Sequence, residues 1–208
     1  MGLNVELLRE IALEVRRRVY PLLGSREAGA PVGLGAGGNR TKLIDSVAED
    51  TVIKVVRRRG VSCTIISEER GVISPVKGSG GDGYLIVDPL DGTNNAVRGV
   101  PFACVSLAAA DKPLLSSVHS AVVHDLFHNE TFWASKGQGA FLEGKPLEPS
   151  KVEDLRKALL GVDLNPPIPG HIGGKLLRIL RASKHSRHLG ANALEVCFVA
   201  CGRLDGFI

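Results

Sequence analysis

Two aspartates, Asp88 and Asp91, stand three residues apart in the motif DPLDGT, which directly follows an apolar run at residues 84–87. A second apolar run, at residues 64–67, is followed by Glu68. The ends of strands are the positions from which a sheet directs side chains into a cleft. If the two runs form neighbouring strands, the three carboxylates converge on one site.

Carboxylates brought this close together need a compensating positive charge. Two of them about 4 Å apart repel each other by about 4 kcal/mol at an effective dielectric constant near 20. Either one carboxyl group takes up a proton or a cation binds among them. Oxygen ligands without His or Cys favour Mg²⁺ over Zn²⁺. Pro89 restricts the backbone between the two aspartates, and the carbonyl group of Leu90 offers one more oxygen.

The residues after the second aspartate suit a phosphate group. Gly92 and Thr93 stand where a helix, TNNAVRG, can begin, and N–H groups at the start of a helix attract phosphate. Beside metal-binding carboxylates this favours metal-assisted phosphoryl chemistry, with two cations about 3.5–4 Å apart holding the attacking and leaving oxygens. The same residues also fit a plain DPxDG turn with a capping aspartate. The local composition leaves both interpretations open.

The elements that would position these groups follow from the spacing of apolar residues. Helical spacing predicts amphipathic helices at about residues 4–18 and 43–58, separated by a Gly- and Ala-rich stretch that is expected to be a flexible surface loop. Strands are expected in VSCTIISEE, YLIVD, PFACVSLAAA and LLSSVHSAVVHD, followed by a hairpin in ETFWASKGQGAFLEGKPL. After about residue 149, short segments with helix and strand patterns alternate. The pattern predicts a layered α+β protein with domains at 1–149 and 150–208.

Composition narrows the class of protein. The 208 residues carry a net charge of +4, and only 4% are aromatic, which argues against nucleic-acid binding. No apolar run approaches the roughly 18 residues that a membrane span needs. None of the four cysteines forms a CxxC pair, and the N-terminus does not resemble a signal peptide. We therefore expect a reduced, cytoplasmic protein.

The segment DPLDGTNNAVRGVPFACVSLA closely resembles the signature of the inositol monophosphatase and fructose-1,6-bisphosphatase superfamily, the lithium-sensitive, Mg²⁺-dependent sugar phosphatases. The segments TKLIDSVAED, IISEE, WASKGQGAFLEGKPL and HLGANALEVCFVACGRLDGF are similar to the family in the same order, so the resemblance covers nearly the whole chain. It is strongest to archaeal members, which often accept both inositol 1-phosphate and fructose 1,6-bisphosphate. It implies a layered α/β/α/β sandwich, the sugar-phosphatase fold. The first sheet would be mostly antiparallel or mixed, and the second α/β domain incomplete.

The resemblance implies a metal site at the acidic motif. Glu68 is expected to be a metal ligand that takes part in catalysis, and Asp88 is expected to bridge two metals. The carbonyl group of Leu90 and the side chain of Asp91 would complete the protein ligands. The implied cofactor is Mg²⁺, as two or three ions, with Li⁺ as an inhibitor.

The resemblance also implies how the phosphate ester is held and attacked. Asp91, Gly92 and Thr93 are expected to bind the phosphate and the substrate. The hydroxyl group of Thr93, paired with Asp45, resembles the pair that activates the attacking water molecule. The Gly-rich stretch at residues 29–38 is then either a gating loop that closes over the metal or a plain connector.

Four further residues resemble the segment that lines the sugar site: Arg187, Gly190, Ala191 and Asn192. Arg187 could meet a second phosphate, because a guanidinium group forks onto phosphate oxygens, or it could be a surface charge before a helix. The implied partner is a phosphorylated sugar or polyol, and a homodimer is expected.

The chain departs from the family pattern at its end. The family continues past GRLDGF into a segment with a WDxAAG-like motif, whose aspartate is another ligand of the second metal. We expect either a truncated product or an incomplete second-metal site, with an unpaired sheet edge and exposed apolar surface. Two alternatives stay open: a nucleotide 3′-phosphatase or NADP phosphatase of the same superfamily, and a catalytically impaired protein that only binds sugar phosphates.

Overall fold

The computed structural model describes residues 2–36, 38, 40–73, 83–164 and 170–208, with only the backbone for residues 170 and 171. The helices are α1 (Val5–Val19), α2 (Leu43–Arg58), α3 (Thr93–Arg98), α4 (Gly170–Ala182) and α5 (Asn192–Ala200). The strands are β1 (Pro31–Leu34), β2 (Arg40–Lys42), β3 (Thr64–Ser67), β4 (Gly71–Ile73), β5 (Tyr84–Asp91), β6 (Cys104–Ala110), β7 (Val118–Asp125), β8 (Thr131–Ser135), β9 (Gly139–Leu142), β10 (Lys145–Pro146), β11 (Leu159–Gly161), β12 (His185–Arg187) and β13 (Gly206–Phe207).

Eight of the strands form one mixed sheet in the order β10-β9-β8-β7-β6-β5-β3-β4. β3 and β5 run parallel, and the other neighbouring pairs are antiparallel. This confirms the predicted α+β class with a mixed first sheet. Since the carboxyl ends of parallel strands meet at one edge, the parallel pair brings together the residues that follow β3 and those that end β5.

Helices α1 and α2 lie side by side on one face of this sheet. Their apolar residues recur at helical spacing and are buried, for example Leu8, Ile11, Ile44 and Val52. Asn4 caps α1, because its Oδ1 accepts a hydrogen bond from the Leu7 N–H at 3.0 Å. The helical spacing therefore predicted both helices to within one or two residues.

Helix α5 covers part of the opposite face. Cys104 belongs to the cluster under α5, whereas its neighbour Val105 belongs to the core under α1 and α2, as expected from side chains that alternate along a strand. Phe198 of α5 contacts Phe102 edge to face, with ring centroids 5.4 Å apart. This packing holds the second half of α5 against the sheet.

A second, three-stranded sheet has the order β12-β11-β13, and all of its strands run parallel. β13 therefore lies at an edge of the described sheet. Apolar side chains are exposed nearby, among them Leu177, Val196 and Ile208. Over the described residues, no helix combines the length and apolar character that a bilayer crossing requires.

Two local expectations differ from the structure. The Gly-rich stretch predicted to be a loop contains the antiparallel hairpin β1–β2, with residues 37 and 39 outside the described residues. It is held by Glu69, whose backbone carbonyl accepts from Ala36 N at 2.6 Å and whose Oε2 accepts from the Thr41 hydroxyl at 2.6 Å. Composition could not reveal this hairpin, because its stabilising contacts come from another segment. The second difference is that β5 does not end at Asp88, as predicted from YLIVD, but continues to Asp91.

Candidate active site

Glu68, Asp88 and Asp91 line one open cavity of about 320 Å³ at the edge of the large sheet. Glu68 directly follows β3, and its N–H donates to the carbonyl oxygen of Val87 in β5 at 3.1 Å, which extends the parallel pairing by one residue. The predicted convergence of the three carboxylates is therefore present. The remaining lining residues are Leu90, Gly92, Thr93, Asn192 and Ala193.

A bulge in β5 aims both aspartates at this cavity. Asp88 is opposite Ser106 and Asp91 is opposite Cys104, so β5 has one residue more than β6 in this stretch. Pro89 lies in the bulge, where the N–H group that it lacks is not needed for the ladder. Asp88 Oδ1 accepts from the Leu90 N–H at 3.1 Å and closes a tight local turn.

The two aspartates of the site have a raised proton affinity. Burial, followed by the negative charges of Glu68 and Asp91, raises the pKa of Asp88 to about 8. Burial also raises the pKa of Asp91, against hydrogen bonds from the backbone of Ala193 and Asn192 that lower it. Among the described residues, no Lys or Arg forms an ion pair with any of the three. A cation bound between them would supply the missing positive charge.

The donor set fits a hard cation. Its side-chain donors are carboxylate oxygens, and Leu90, whose carbonyl group offers a further oxygen, lines the same cavity. Within the described ranges, no group of three His, Cys, Asp or Glu side chains has the spacing of a complete metal cage. The three carboxylates nevertheless line one cavity, and burial together with the charges of Glu68 and Asp91 raises the pKa of Asp88.

Asp45 and Thr93 form a second polar pair beside the cavity. Asp45 lies in the first turn of α2, where its Oδ2 accepts from the Lys42 N–H at 3.2 Å. Its Oδ1 accepts from the Thr93 hydroxyl group at 2.8 Å. Burial raises the pKa of Asp45 to about 6. A carboxylate with this pKa can take up a proton near neutral pH and release it again.

Gly92 shapes the turn from β5 into α3. Its φ of +88° is disfavoured for residues with a side chain. A Cβ atom at this position would lie 3.0 Å from the carbonyl oxygen of Phe102 and 3.1 Å from Ala191 Cβ. Glycine therefore allows the start of α3 and the start of α5 to approach each other.

The four residues predicted to line the sugar site differ in how they are placed relative to the cavity. Asn192 lines the cavity, and Ala191 is buried behind Gly92. Gly190 lies against Asn95. Arg187 is exposed, with its guanidinium group donating to the carbonyl oxygen of Ser186 at 2.9 Å, and it does not line the cavity.

Two further groups support the site without a signal in the sequence. The Ala193 N–H donates to Asp91 Oδ2 at 2.7 Å, so Asp91 binds the N-terminus of α5 with one oxygen. Asn95 connects α3 to the segment before α5, because its Nδ2 donates to the carbonyl oxygen of Leu189. A backbone N–H group carries no residue-type signal. Asn95 stands in the quoted motif, but nothing local indicates its distant partner.

Comparison with known proteins settles the family. The model of the family described as the inositol monophosphatase family matches residues 3–208 of this chain. The chain belongs to the inositol monophosphatase family. Members of this family are generally metal-dependent.

Three similar proteins illustrate the relationship. A fructose-1,6-bisphosphatase/inositol-1-monophosphatase of Methanothermobacter thermautotrophicus is 39% identical over 206 residues, which cover 95% of this chain and 72% of that protein. A bifunctional NADP phosphatase/NAD kinase of Methanocaldococcus jannaschii is 30% identical over 226 residues, covering 94% of this chain and 38% of that protein. A crystal structure of an inositol monophosphatase–fructose 1,6-bisphosphatase superposes with a TM-score of 0.81 at 25% identity, covering 97% of this chain and 74% of the other.

Proposed function

We propose that this protein is a Mg²⁺-dependent phosphomonoesterase that hydrolyses inositol 1-phosphate, fructose 1,6-bisphosphate or both. The observation that carries the proposal is the single cavity in which three carboxylates, a carbonyl group and the start of α3 lie together. The Thr93–Asp45 pair lies beside them. The relative with 39% identity is named for both activities.

Glu68, Asp88, Asp91 and the Leu90 carbonyl would hold the metal. When bound, Mg²⁺ supplies positive charge that stabilises the phosphoryl group and the departing oxygen. The resemblance favours two or three ions and inhibition by Li⁺. A homodimer and a cytoplasmic location are further expectations from the resemblance and the composition.

The chain's own residues would bind the ester and manage the proton. The N–H groups of Gly92 and Thr93 hold the phosphate oxygens, and Asn192 lines the side where the sugar binds. The Thr93 hydroxyl accepts a proton from the attacking water molecule and passes its own proton to Asp45. In this proposal the guanidinium group of Arg187 would bind the second phosphate of a bisphosphate.

NADP is a second candidate substrate. The observation that favours it is the relative with 30% identity that is named an NADP phosphatase/NAD kinase, although this chain covers only 38% of it. A panel of inositol 1-phosphate, fructose 1,6-bisphosphate, NADP and a nucleoside 3′-phosphate would identify the preferred substrate by kcat/KM.

Asp88→Asn tests the proposed function. The substitution keeps the shape but removes a charge that the metal needs, so phosphate release at saturating Mg²⁺ should fall by at least about 10²-fold. Asp111→Asn is the matched control, because the Asp111 side chain is 78% exposed and Asp111 follows the end of β6 opposite to Cys104, which pairs with Asp91. Near-normal turnover by D88N would refute the assignment.

A thermal shift measurement separates metal binding from turnover. Mg²⁺ should raise the Tm of the wild-type protein, by the equivalent of about 2.7 kcal/mol at 100 times its Kd. The increase should be small in D88N and absent with NaCl at equal ionic strength. A shift in the wild type without phosphate release would favour a protein that only binds sugar phosphates.

A further inference from the structure

The peptide group of Leu189 is held by the side chain of Asn95, a residue of α3. Its carbonyl oxygen accepts a hydrogen bond from Asn95 Nδ2 at 2.7 Å, across 94 residues of sequence. The same nitrogen donates to the carbonyl oxygen of Phe102 at 2.8 Å. Asn95 lies in α3, two residues after Thr93. One amide group therefore joins the phosphate-binding turn, the approach to β6 and the segment 187–191.

The opposite side of the same peptide group faces Glu195. The N–H group of Leu189 donates to Glu195 Oε1, a long hydrogen bond of 3.4 Å. Glu195 is fully buried, and its Oε2 has no hydrogen-bond partner among the described residues. A Cβ atom on Gly161 of β11 would lie 3.0 Å from Oε1. The carboxyl group is thus confined between β11 and the segment 187–191.

The space around the Asn95 amide is narrow. Gly190 has a φ of +82°, and a Cβ atom there would lie 3.3 Å from Asn95 Nδ2. A glycine at this position therefore allows the close approach that the 2.7 Å hydrogen bond requires. The backbone position of Leu189 is fixed from both sides, whereas the neighbouring Arg187 is exposed and forms no ion pair with an acidic side chain within the described residues.

We propose that Asn95 is a positioning residue for substrate selection: it sets the segment 187–191 against the phosphate-binding turn, so that Arg187 can meet the second phosphate of a bisphosphate. This inference rests on the proposed function. In this arrangement Asn95 sets the spacing between the phosphate-binding turn and Arg187, while its side chain forms no hydrogen bond with Gly92 or Thr93 within the described residues.

The test compares two substrates with Asn95→Ala. Fructose 1,6-bisphosphate carries a second phosphate, and β-glycerophosphate does not. Loss of a hydrogen bond worth about 1.4 kcal/mol should raise the KM for the bisphosphate about 10-fold. The KM for β-glycerophosphate and both kcat values should change by less than about threefold. Asn95→Asp keeps the shape but opposes two carbonyl oxygens with a carboxylate, so it should raise the bisphosphate KM at least as much.

Two further variants make the test specific. Asn94→Ala is the matched control, because Asn94 is the exposed neighbour whose Oδ1 accepts from Lys42 Nζ at 2.6 Å, and it should leave the KM ratio unchanged. Arg187→Ala should raise the bisphosphate KM, and adding Asn95→Ala should raise it no further, since both act on one contact. Asn95→Ser serves in place of Asn95→Ala if the alanine variant does not fold.

The outcomes separate the two proposals. Equal KM increases for both substrates, or additive effects of Asn95→Ala and Arg187→Ala, would overturn the positioning role and leave the proposed function intact. If the wild-type protein hydrolyses neither substrate, the proposed function fails. Calorimetric binding of fructose 1,6-bisphosphate to the wild type and to the Asn95→Ala variant then decides the positioning role, and equal affinities would refute it.

Discussion

The Thr93 hydroxyl group carries one proton and has two acceptors, Asp45 Oδ1 at 2.8 Å and the Leu90 carbonyl oxygen at 3.0 Å. Because burial raises the pKa of Asp45 to about 6, this carboxyl group is mostly ionised at pH 7. A carboxylate accepts a stronger hydrogen bond than a carbonyl group does. We therefore expect the Thr93 proton to point at Asp45, which leaves the lone pairs of the hydroxyl free to accept a proton from water.

Thr93→Val tests this arrangement at the scale of one residue. Valine keeps the shape and the backbone N–H of Thr93 but cannot relay a proton, so kcat should fall by about 10²–10⁴-fold with little change in KM. Thr93→Ser retains the hydroxyl and should keep most of the activity. Steady-state phosphate release at saturating Mg²⁺ measures both. Equal losses in the two variants would mean that packing by the methyl group, not the hydroxyl, is what the site needs.

The elements of the site meet at one crowded turn. β5 ends at Asp91, α3 begins at Thr93, and the buried start of α5 lies against Gly92 between them. Asp91 both anchors α5 and lines the cavity. Its Oδ2 accepts a hydrogen bond from the Ala193 N–H at the start of α5. A substitution in this turn should therefore disturb stability and activity together.

Gly92→Ala and Gly137→Ala separate backbone strain from crowding. Both glycines have a positive φ, +88° and +78°, so alanine costs about 1–2 kcal/mol at either position. Only Gly92 has close neighbours, since nothing lies within 4 Å of a Cβ atom at Gly137. Gly92→Ala should lower the free energy of unfolding by more than Gly137→Ala does, as measured by urea denaturation, and should also reduce kcat/KM. Equal destabilisation would show that the contact with α5 is not tight.

At the scale of the whole molecule, a buried histidine links stability to pH. His124 of β7 is fully buried, and its Nδ1 lies 3.0 Å from the Thr131 hydroxyl oxygen. Burial, followed by the charge of Arg16, lowers the pKa of His124 to about 4, against Asp125 and Glu143, which raise it. The folded protein therefore keeps this imidazole neutral where the unfolded chain, with a pKa near 6.5, would be protonated.

The protein should become less stable as the pH falls, because the pKa of His124 is lower in the folded protein than in the unfolded chain. Below about pH 6.5 the unfolded chain binds more protons at this position, so stability should decrease as the pH falls from about 6.5 to 4, by up to about 3 kcal/mol in total. His124→Phe should flatten the dependence of the free energy of unfolding on pH in this window, whatever its effect at pH 8. The exposed His185→Gln is the control and should keep the wild-type slope. An unchanged slope in H124F would assign the acid sensitivity to other groups.

Much of the fold could be predicted because its signals are local. The apolar spacing predicted a helix at 43–58, and α2 spans these residues; α1 differs from its prediction by one residue at each end. The hairpin β1–β2 was missed because glycine-rich composition is typical of loops, and because Glu69 stabilises it from another segment. The bulge that carries β5 on to Asp91 was missed because a proline normally ends a strand.

The amino-acid sequence by itself determined the chemistry: the carboxylates and the glycine–threonine turn of one motif, and through that motif the family. Only the tertiary structure decided which groups support the site. The Ala193 N–H reaches Asp91 across 102 residues, and the Leu189 carbonyl reaches Asn95 across 94. Every residue but proline has such a backbone N–H, and every residue has a carbonyl group, so residue type cannot reveal which of them will be used. That choice is made when α5 packs against the large sheet and brings the two segments together.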